Sequence, residues 1–168
     1  MALTIRQVTA HVVEMRVGFS YSSGTLEQAR AIVWEICAGD CVGLGECGFA
    51  AEKSVPGISM SFDEGSTEGL RSGLARWVDP LIGQDATALE ALLRSMPREL
   101  DWDRLVVREG LSIALHDLVG RSVGLPVHAL LGGARRSRVP GMPVVHVAPT
   151  DVMVRRSKSW TSAGYRYL

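Results

Sequence analysis

The chain has 168 residues, 46% of them apolar, and equal numbers of acidic and basic side chains, so its formal net charge is +0. This size suits one ordinary hydrophobic core, or one small domain with part of another. The balanced charge gives no reason to expect a nucleic acid or an anionic membrane as partner, and no apolar run approaches the ~18 residues of a membrane span. The N-terminus lacks the basic and long apolar regions of a signal peptide, so we expect a cytoplasmic protein.

Alternating apolar and polar residues predict three β-strands within the first fifty positions. The first strand runs from Leu3 to Met15, with a phase slip at Arg6-Gln7 that indicates a β-bulge. The second strand covers residues 29–37, and Gly39-Asp40 is a turn signal before a third strand over residues 41–47. This order predicts a three-stranded antiparallel meander. The connection over residues 17–25 is rich in Gly and Ser and is predicted to be a long loop, which is often mobile or functional.

The three cysteines are Cys37, Cys41 and Cys47. An odd number argues against a disulfide framework, although Cys37 and Cys41 could face each other across the second hairpin. A metal site would need further Cys or His ligands at suitable spacing, and none lies close by. We therefore interpret the cysteines as small core hydrophobes.

Helical spacing follows the strands. It predicts a helix over residues 70–81, a second helix over residues 88–96 capped by Asp85, and a third helix over residues 103–123. The third helix has a stripe of apolar residues predicted to be buried, namely Leu111, Ala114, Leu115, Leu118 and Val119. Gly124 is a stop signal, and Pro126 begins a short final turn that ends at Gly132-Gly133.

The pattern changes after residue 133. Residues 139–147 form an extended and mostly apolar run, as expected for a strand buried on both faces. Thr150 is the predicted cap of a helix that continues to about Ala163, and residues 165–168 resemble a further strand. Strand, helix and strand at this spacing predict a βαβ unit. One such unit leaves both strand edges uncovered and is not a finished domain.

Three segments resemble the enolase superfamily, most closely its mandelate racemase and muconate-lactonizing enzyme branch. They are Gly43-Leu-Gly-Glu-Cys47 in the third strand, Ile113-Ala-Leu-His-Asp-Leu-Val-Gly-Arg121 in the third helix, and Gly124-Leu-Pro-Val-His-Ala-Leu-Leu-Gly-Gly133 after it. The last segment is the most specific, because its pieces occur in the family's order and separation. Two positions depart from the pattern: Ser112 stands where an acidic residue is frequent, and His116 where Trp is frequent.

The resemblance implies a fold in two parts. Residues 1–133 would form an N-terminal α+β capping and specificity domain, with the antiparallel meander followed by helices. Residues 134–168 would form the first β-α-β unit of a TIM-like (β/α) barrel, truncated before its catalytic strands, since a complete barrel needs ~250 residues. The family's Lys-x-Lys motif ends the second barrel strand. Lys53 and Lys158 are the only lysines here, and neither is at that place.

The resemblance also implies an activity for a longer protein. Members use Mg²⁺ and a tuned base to remove the proton alpha to a carboxylate, through an enediolate, as racemases, epimerases, cycloisomerases or dehydratases. The implied partners are a small carboxylate substrate, the remainder of the barrel domain and further copies in a homo-oligomer. Within these 168 residues we expect no catalytic residue and no metal ligand.

The resemblance assigns the predicted loop to substrate specificity. Its residues are Phe19, Tyr21, Ser22, Ser23 and Gly24, of which the aromatic rings would close over substrate and the serines would donate hydrogen bonds. The alternative is a solvated hairpin loop.

Four further residues each have a functional and a structural interpretation. Phe49 and residues 50–60 are candidates for a second lid loop, and His146 could contact substrate at a barrel strand end, or simply pack there. For Glu46 we favour a structural hydrogen bond or ion pair, and for Asp117 a role in helix packing.

Two interpretations from different classes compete. In the first, the chain is the N-terminal part of a Mg²⁺-dependent enzyme and is inactive alone. In the second, it is a free-standing α+β binding or interaction module, or a fragment without function of its own. Residues 139–168 favour the first, because a free module has little reason to keep an uncovered apolar strand.

Overall fold

The computed structural model describes residues 2–21, 24–49, 74–97 and 102–167. The strands are β1 (Ile5–Tyr21), β2 (Gly24–Ala38) and β3 (Cys41–Phe49). Helix α1 is described over residues 74–78 and continues into a 3₁₀ turn, Asp79–Leu81. The later helices are α2 (Leu89–Ser95), α3 (Trp102–Val123), α4 (Val127–Leu130) and α5 (Thr150–Ser162). Among the described residues, no helix combines the length and hydropathy that a membrane crossing requires.

The strands form the predicted antiparallel meander, in the order β1-β2-β3. The predicted bulge is confirmed: Ile5 pairs with Ala38 and Gln7 with Cys37, so Arg6 is the extra residue of β1. The predicted turn at Gly39-Asp40 is also confirmed, and Gly39 adopts a φ of 56°, which glycine tolerates without a steric penalty.

The predicted long loop over residues 17–25 is wrong for most of its length. Strand pairing continues past a second register shift, between Arg16 and Phe19, and ends with Tyr21 opposite Gly24. Gly and Ser lower strand propensity, but an antiparallel ladder continues wherever both backbones stay extended and bonded. Ser22 and Ser23 lie outside the described residues.

The core lies between the sheet and α3. The inward side chains Ile32, Trp34 and Ile36 of β2 are fully buried, as is the predicted stripe of α3 from Leu111 to Leu118. Val119, the last residue of that stripe, is also buried. The stripe was predictable because apolar residues three and four positions apart share one helix face.

The register corrects the predicted placement of two cysteines. Cys41 pairs with Ala38 and Cys37 pairs with Val42, so Cys37 and Cys41 do not face each other. All three thiols are free; Cys47 is buried, and the other two are half-buried. The interpretation as core residues therefore holds fully for Cys47 alone.

The segment before α2 is joined to the start of β1. Gln84 O accepts a hydrogen bond from Ile5 N at 2.9 Å, and Leu3 O accepts one from Ala86 N at 2.9 Å. Asp85 does not cap α2 as predicted, since the cap position is Ala88. Instead, Asp85 Oδ1 accepts hydrogen bonds from Thr87 N and Leu3 N, both at 3.0 Å, and so ties this segment to β1.

The helix predicted after residue 133 is confirmed as α5, but the two strands around it are not formed. Residues 139–147 and 165–167 pair with no strand among the described residues, and Val139 is 80% exposed. A parallel strand is stable only within a ladder of neighbours. The helix cap also differs from the prediction, because Pro149 occupies the cap position and Thr150 is the first helical residue.

Candidate specificity lid and its supporting sheet

The predicted lid residues lie at one end of the sheet. Phe19, Tyr21 and Gly24 belong to the paired ends of β1 and β2, and Phe49 is the last residue of β3, opposite Arg30. Within the described residues the pairing of β2 with β3 ends at Arg30, so residues 24–29 of β2 extend beyond the described end of β3, by about 20 Å at the usual rise of a strand. The two-stranded tip and Phe49 thus lie at the same end, while residues 50–60 fall outside the described residues.

The sheet that holds this tip is fixed to α3 by two glycines. A side chain on Gly45 would place its Cβ 2.5 Å from the backbone N of Ala114, and one on Gly43 would place it 2.6 Å from the backbone N of Leu118. Only hydrogen fits at such distances, so the glycines of Gly43-Leu-Gly let strand and helix backbones touch. This close approach explains why the motif has glycine at both positions.

Asp117 completes the same junction. Its Oδ2 accepts a hydrogen bond from Leu44 N at 2.8 Å and another from Arg121 Nε at 2.7 Å. The carboxylate therefore satisfies a backbone N–H on the edge strand and orders the next turn of its own helix. The predicted packing role of Asp117 is confirmed.

A shallow groove that sequence reasoning missed lies beside this junction. It encloses about 520 Å³ between β3, α3 and α4. Its lining residues are Leu44, Ser112, Ile113, His116, Asp117, Arg121, Val127 and Leu131. His116 Nδ1 lies 2.7 Å from Ser112 O, and Asp117 is bonded to Leu44 and Arg121. The described contacts thus serve structure and form no acid-base pair. Helical spacing places His116 and Asp117 one turn after Ile113, but it does not indicate that β3 and α4 form a groove with them.

One buried polar contact of the described residues lies between β2 and β3. Trp34 Nε1 donates to Cys47 Sγ at 3.4 Å, and the Trp34 ring lies where a side chain on Gly110 would be. Burial raises the pKa of the Cys47 thiol, so this group stays protonated and unreactive in the folded protein. Trp34, Cys47 and Gly110 therefore form a packing unit.

The remaining predicted residues are not brought together. Glu46 is exposed on β3, and His146 is half-buried within the extended segment. The described part of the chain contains no group of three His, Cys, Asp or Glu side chains that could hold a metal ion. These residues do not form a Mg²⁺ site, and we assign no catalytic step to them.

The comparisons with known proteins agree with this architecture. The model of the mandelate racemase/muconate lactonizing enzyme N-terminal domain matches residues 4–132. A chloromuconate cycloisomerase of Pseudomonas putida is 36% identical over 115 residues, which are 68% of this chain and 29% of that protein.

Two solved structures share the fold. The muconate lactonizing enzyme of Pseudomonas fluorescens, complexed with muconolactone, superimposes with a TM-score of 0.77 at 21% identity, over 96% of this chain and 43% of that one. A dipeptide epimerase of Enterococcus faecalis, complexed with Mg and a dipeptide, gives a TM-score of 0.72 at 20% identity, over 96% and 44%.

The chain spans less than half the length of each of these relatives. The match nevertheless runs through the whole sheet, α3 and the final Gly132 turn. The chain belongs to the mandelate racemase/muconate lactonizing enzyme branch of the enolase superfamily, of which it carries the N-terminal domain.

Proposed function

We propose that this domain caps the active site of a Mg²⁺-dependent enzyme that abstracts the proton alpha to a carboxylate of a small substrate. The class includes racemases, epimerases, cycloisomerases and dehydratases. In this proposal residues 1–133 supply the specificity lid, and a barrel that begins within residues 134–168 supplies the catalytic groups. Mg²⁺ would stabilise the charge of the enediolate there.

The observation that carries the proposal is the projecting end of the sheet. A ribbon anchored on α3 at one end and extending beyond β3 at the other can place aromatic residues over a neighbouring site and exclude water. The family match and the length of its members support a second, catalytic part. The relatives support the proposed substrate class, since the structure of one of them is a complex with Mg and a dipeptide.

The proposal includes a cytoplasmic location, homo-oligomeric assembly, and no nucleic-acid or membrane partner. Free thiols at Cys37, Cys41 and Cys47 suit a reducing compartment.

The first test combines two measurements on the protein purified from its source. Its intact mass shows whether the chain continues, and incubation with Mg²⁺ in D₂O shows whether it exchanges the α-protons of small carboxylates such as dipeptides. We expect a mass above that of 168 residues together with Mg²⁺-dependent exchange. A mass equal to 168 residues without exchange would favour the alternative, a free-standing binding module or inactive fragment.

A domain graft tests the lid itself. Residues 1–133 would replace the corresponding domain of a dipeptide epimerase, and Phe19→Ala with Tyr21→Ala would be compared with the unmodified graft. We expect kcat/KM to fall at least about tenfold and the preference among dipeptides to change, because these rings would exclude water from substrate. Thr9→Ala, on the same strand but far from the tip, is the control. Equal activity of the lid variant and the control would reject the lid role.

A further inference from the structure

Strand register divides the residues of the two-stranded tip between two faces. Phe19 pairs with Leu26, and Tyr21 pairs with Gly24. Even-numbered positions of β2 form the face that carries the core, as the fully buried Ile32 shows, because alternate positions of a strand share one face. Phe19, Tyr21 and Leu26 therefore lie on the core-side face of the tip. We call these three residues the aromatic face of the tip.

A register shift in β1 produces this placement. Arg16 and Phe19 are three positions apart, so a regular strand would place them on opposite faces. The shift sets residues 17 and 18 of β1 against Glu27 alone in β2, and both Arg16 and Phe19 then belong to the core-side face. The two residues that pair on the opposite face are Ser20 and Thr25.

A polar band separates the aromatic face of the tip from the hydrophobic core. Between Leu26 and the core, Arg16 pairs with Gln28 and Glu14 pairs with Arg30. Glu14 and Arg16 are exposed, although they occupy the face on which the core lies. The core thus ends before the tip, and packing within this core does not account for apolar residues beyond the band.

The tip also lacks charge. No acidic or basic residue occurs from Val17 to Leu26. A ligand group enclosed by the aromatic face would therefore find no counter-ion on the tip. Removing an unpaired charge from water costs far more free energy than removing an apolar group, so this composition favours an uncharged ligand group.

We propose that the aromatic face of the tip binds an uncharged, apolar group at the end of the substrate remote from the reacting carboxylate. Leu26 is then a specificity-determining residue beside Phe19 and Tyr21. The inference rests on the proposed function, because the tip contacts a substrate only if the domain caps an active site. A substrate with a second carboxylate at the remote end would lose its hydration there without gaining a cation from the tip.

The test measures Mg²⁺-dependent exchange of the α-proton in D₂O by the complete protein, with two matched pairs of substrates. The members of a pair share the reacting end and differ in the remote group, which is phenyl or carboxylate. The pairs are alanyl-phenylalanine with alanyl-glutamate, and phenyllactate with malate. In each pair that the protein accepts, we expect kcat/KM to be at least about tenfold higher for the phenyl member.

Two arginine variants then test the assignment of faces. Leu26→Arg adds a cation to the aromatic face, and the matched control Thr25→Arg adds the same cation to the opposite face at the adjacent position. Leu26→Arg should shift the ratio of kcat/KM values toward the carboxylate member at least about tenfold, and Thr25→Arg less than about threefold. Both values of a ratio come from one sample, so the ratio does not depend on how much of the variant is folded.

The outcomes separate this inference from the proposed function. Exchange that favours the carboxylate members, or the same ratio for the two arginine variants, would overturn the inference and leave the proposed function standing. Absence of exchange with every small carboxylate would overturn the proposed function, and the inference with it.

Discussion

Gly45 shows how one missing side chain positions two elements. A Cβ at this position would lie 2.5 Å from Ala114 N, and backbone atoms cannot move aside as the end of a flexible side chain can. We expect Gly45→Ala to lower the free energy of unfolding by about 3 kcal/mol, measured by urea denaturation. Gly141→Ala is the control, because its Cβ would meet Tyr165 at an ordinary 3.4 Å. Similar losses for the two variants would contradict the close-approach argument.

The ionisation of the Asp85 carboxyl makes the stability of the fold depend on pH in the acidic range. Hydrogen bonds from Thr87 N, Thr87 Oγ1 and Leu3 N lower the pKa of this carboxyl below its ordinary value of 3.8. A lowered pKa means that the ionised form stabilises the folded state above the ordinary pKa, and that this contribution is lost as pH falls through the folded value.

We therefore expect Asp85→Ala to lower Tm at about pH 7 and to have much less effect at about pH 2.5. Thermal unfolding followed by circular dichroism measures both. Asp79→Ala, an exposed acidic residue of the preceding 3₁₀ turn, serves as control. A loss for Asp85→Ala that is equal at the two pH values would mean that packing, and not the charged acceptor, is responsible.

Asp117 accepts one hydrogen bond from β3 and one from its own helix, and two variants can distinguish their contributions to the free energy of unfolding. Asp117→Ala removes the acceptor of Leu44 N and should cost about 1–2 kcal/mol, since that N–H on the edge strand loses its partner. Arg121→Ala removes only the pair within the helix, at an exposed side chain, and should cost about 0.5 kcal/mol or less. Chemical denaturation of the two variants compares them directly. Equal costs would show that Asp117 acts mainly through Arg121.

Among the helices, α3 carries the core. Leu115 is fully buried on its inward face, while Ile113, on the groove side, is 46% exposed. Leu115→Ala should cost about 2–5 kcal/mol, because it removes contacts and leaves a cavity. Ile113→Ala should cost about 0.5–1 kcal/mol, in proportion to the smaller area that it buries. Guanidinium denaturation of both variants measures the two costs. A larger cost for Ile113→Ala than for Leu115→Ala would contradict a core on the Leu115 side of α3.

The elements most readily predicted are those in which the residue pattern and the tertiary neighbours favour the same secondary structure. The meander, the bulge at Arg6 and the stripe of α3 follow from alternation and helical spacing alone. The ends of β1 and β2 were missed because propensity does not reveal how far a ladder continues. Residues 139–147 have the composition of a buried strand, but a strand forms only with bonded neighbours, and the described residues provide none.

For the whole chain, sequence reasoning identified the family. It did so because Gly43-Leu-Gly and the Gly124–Gly133 segment have tight steric requirements, which leave a readable motif. The groove beside α3 and the position of the lid tip beyond β3 could not be predicted. Both depend on how far strands extend and how closely helices approach, which are tertiary properties.

The Cys47 thiol, buried in contact with Trp34, can be used to detect the separation of α3 from the sheet. Cys37 and Cys41 are half-buried, while Cys47 lies beneath the α3 layer. A thiol-specific dye should therefore label Cys47 only when α3 separates from the sheet, at a rate set by that opening. In a variant that keeps Cys47 as its one thiol, the labelling kinetics would give the rate at which the helix separates from the sheet.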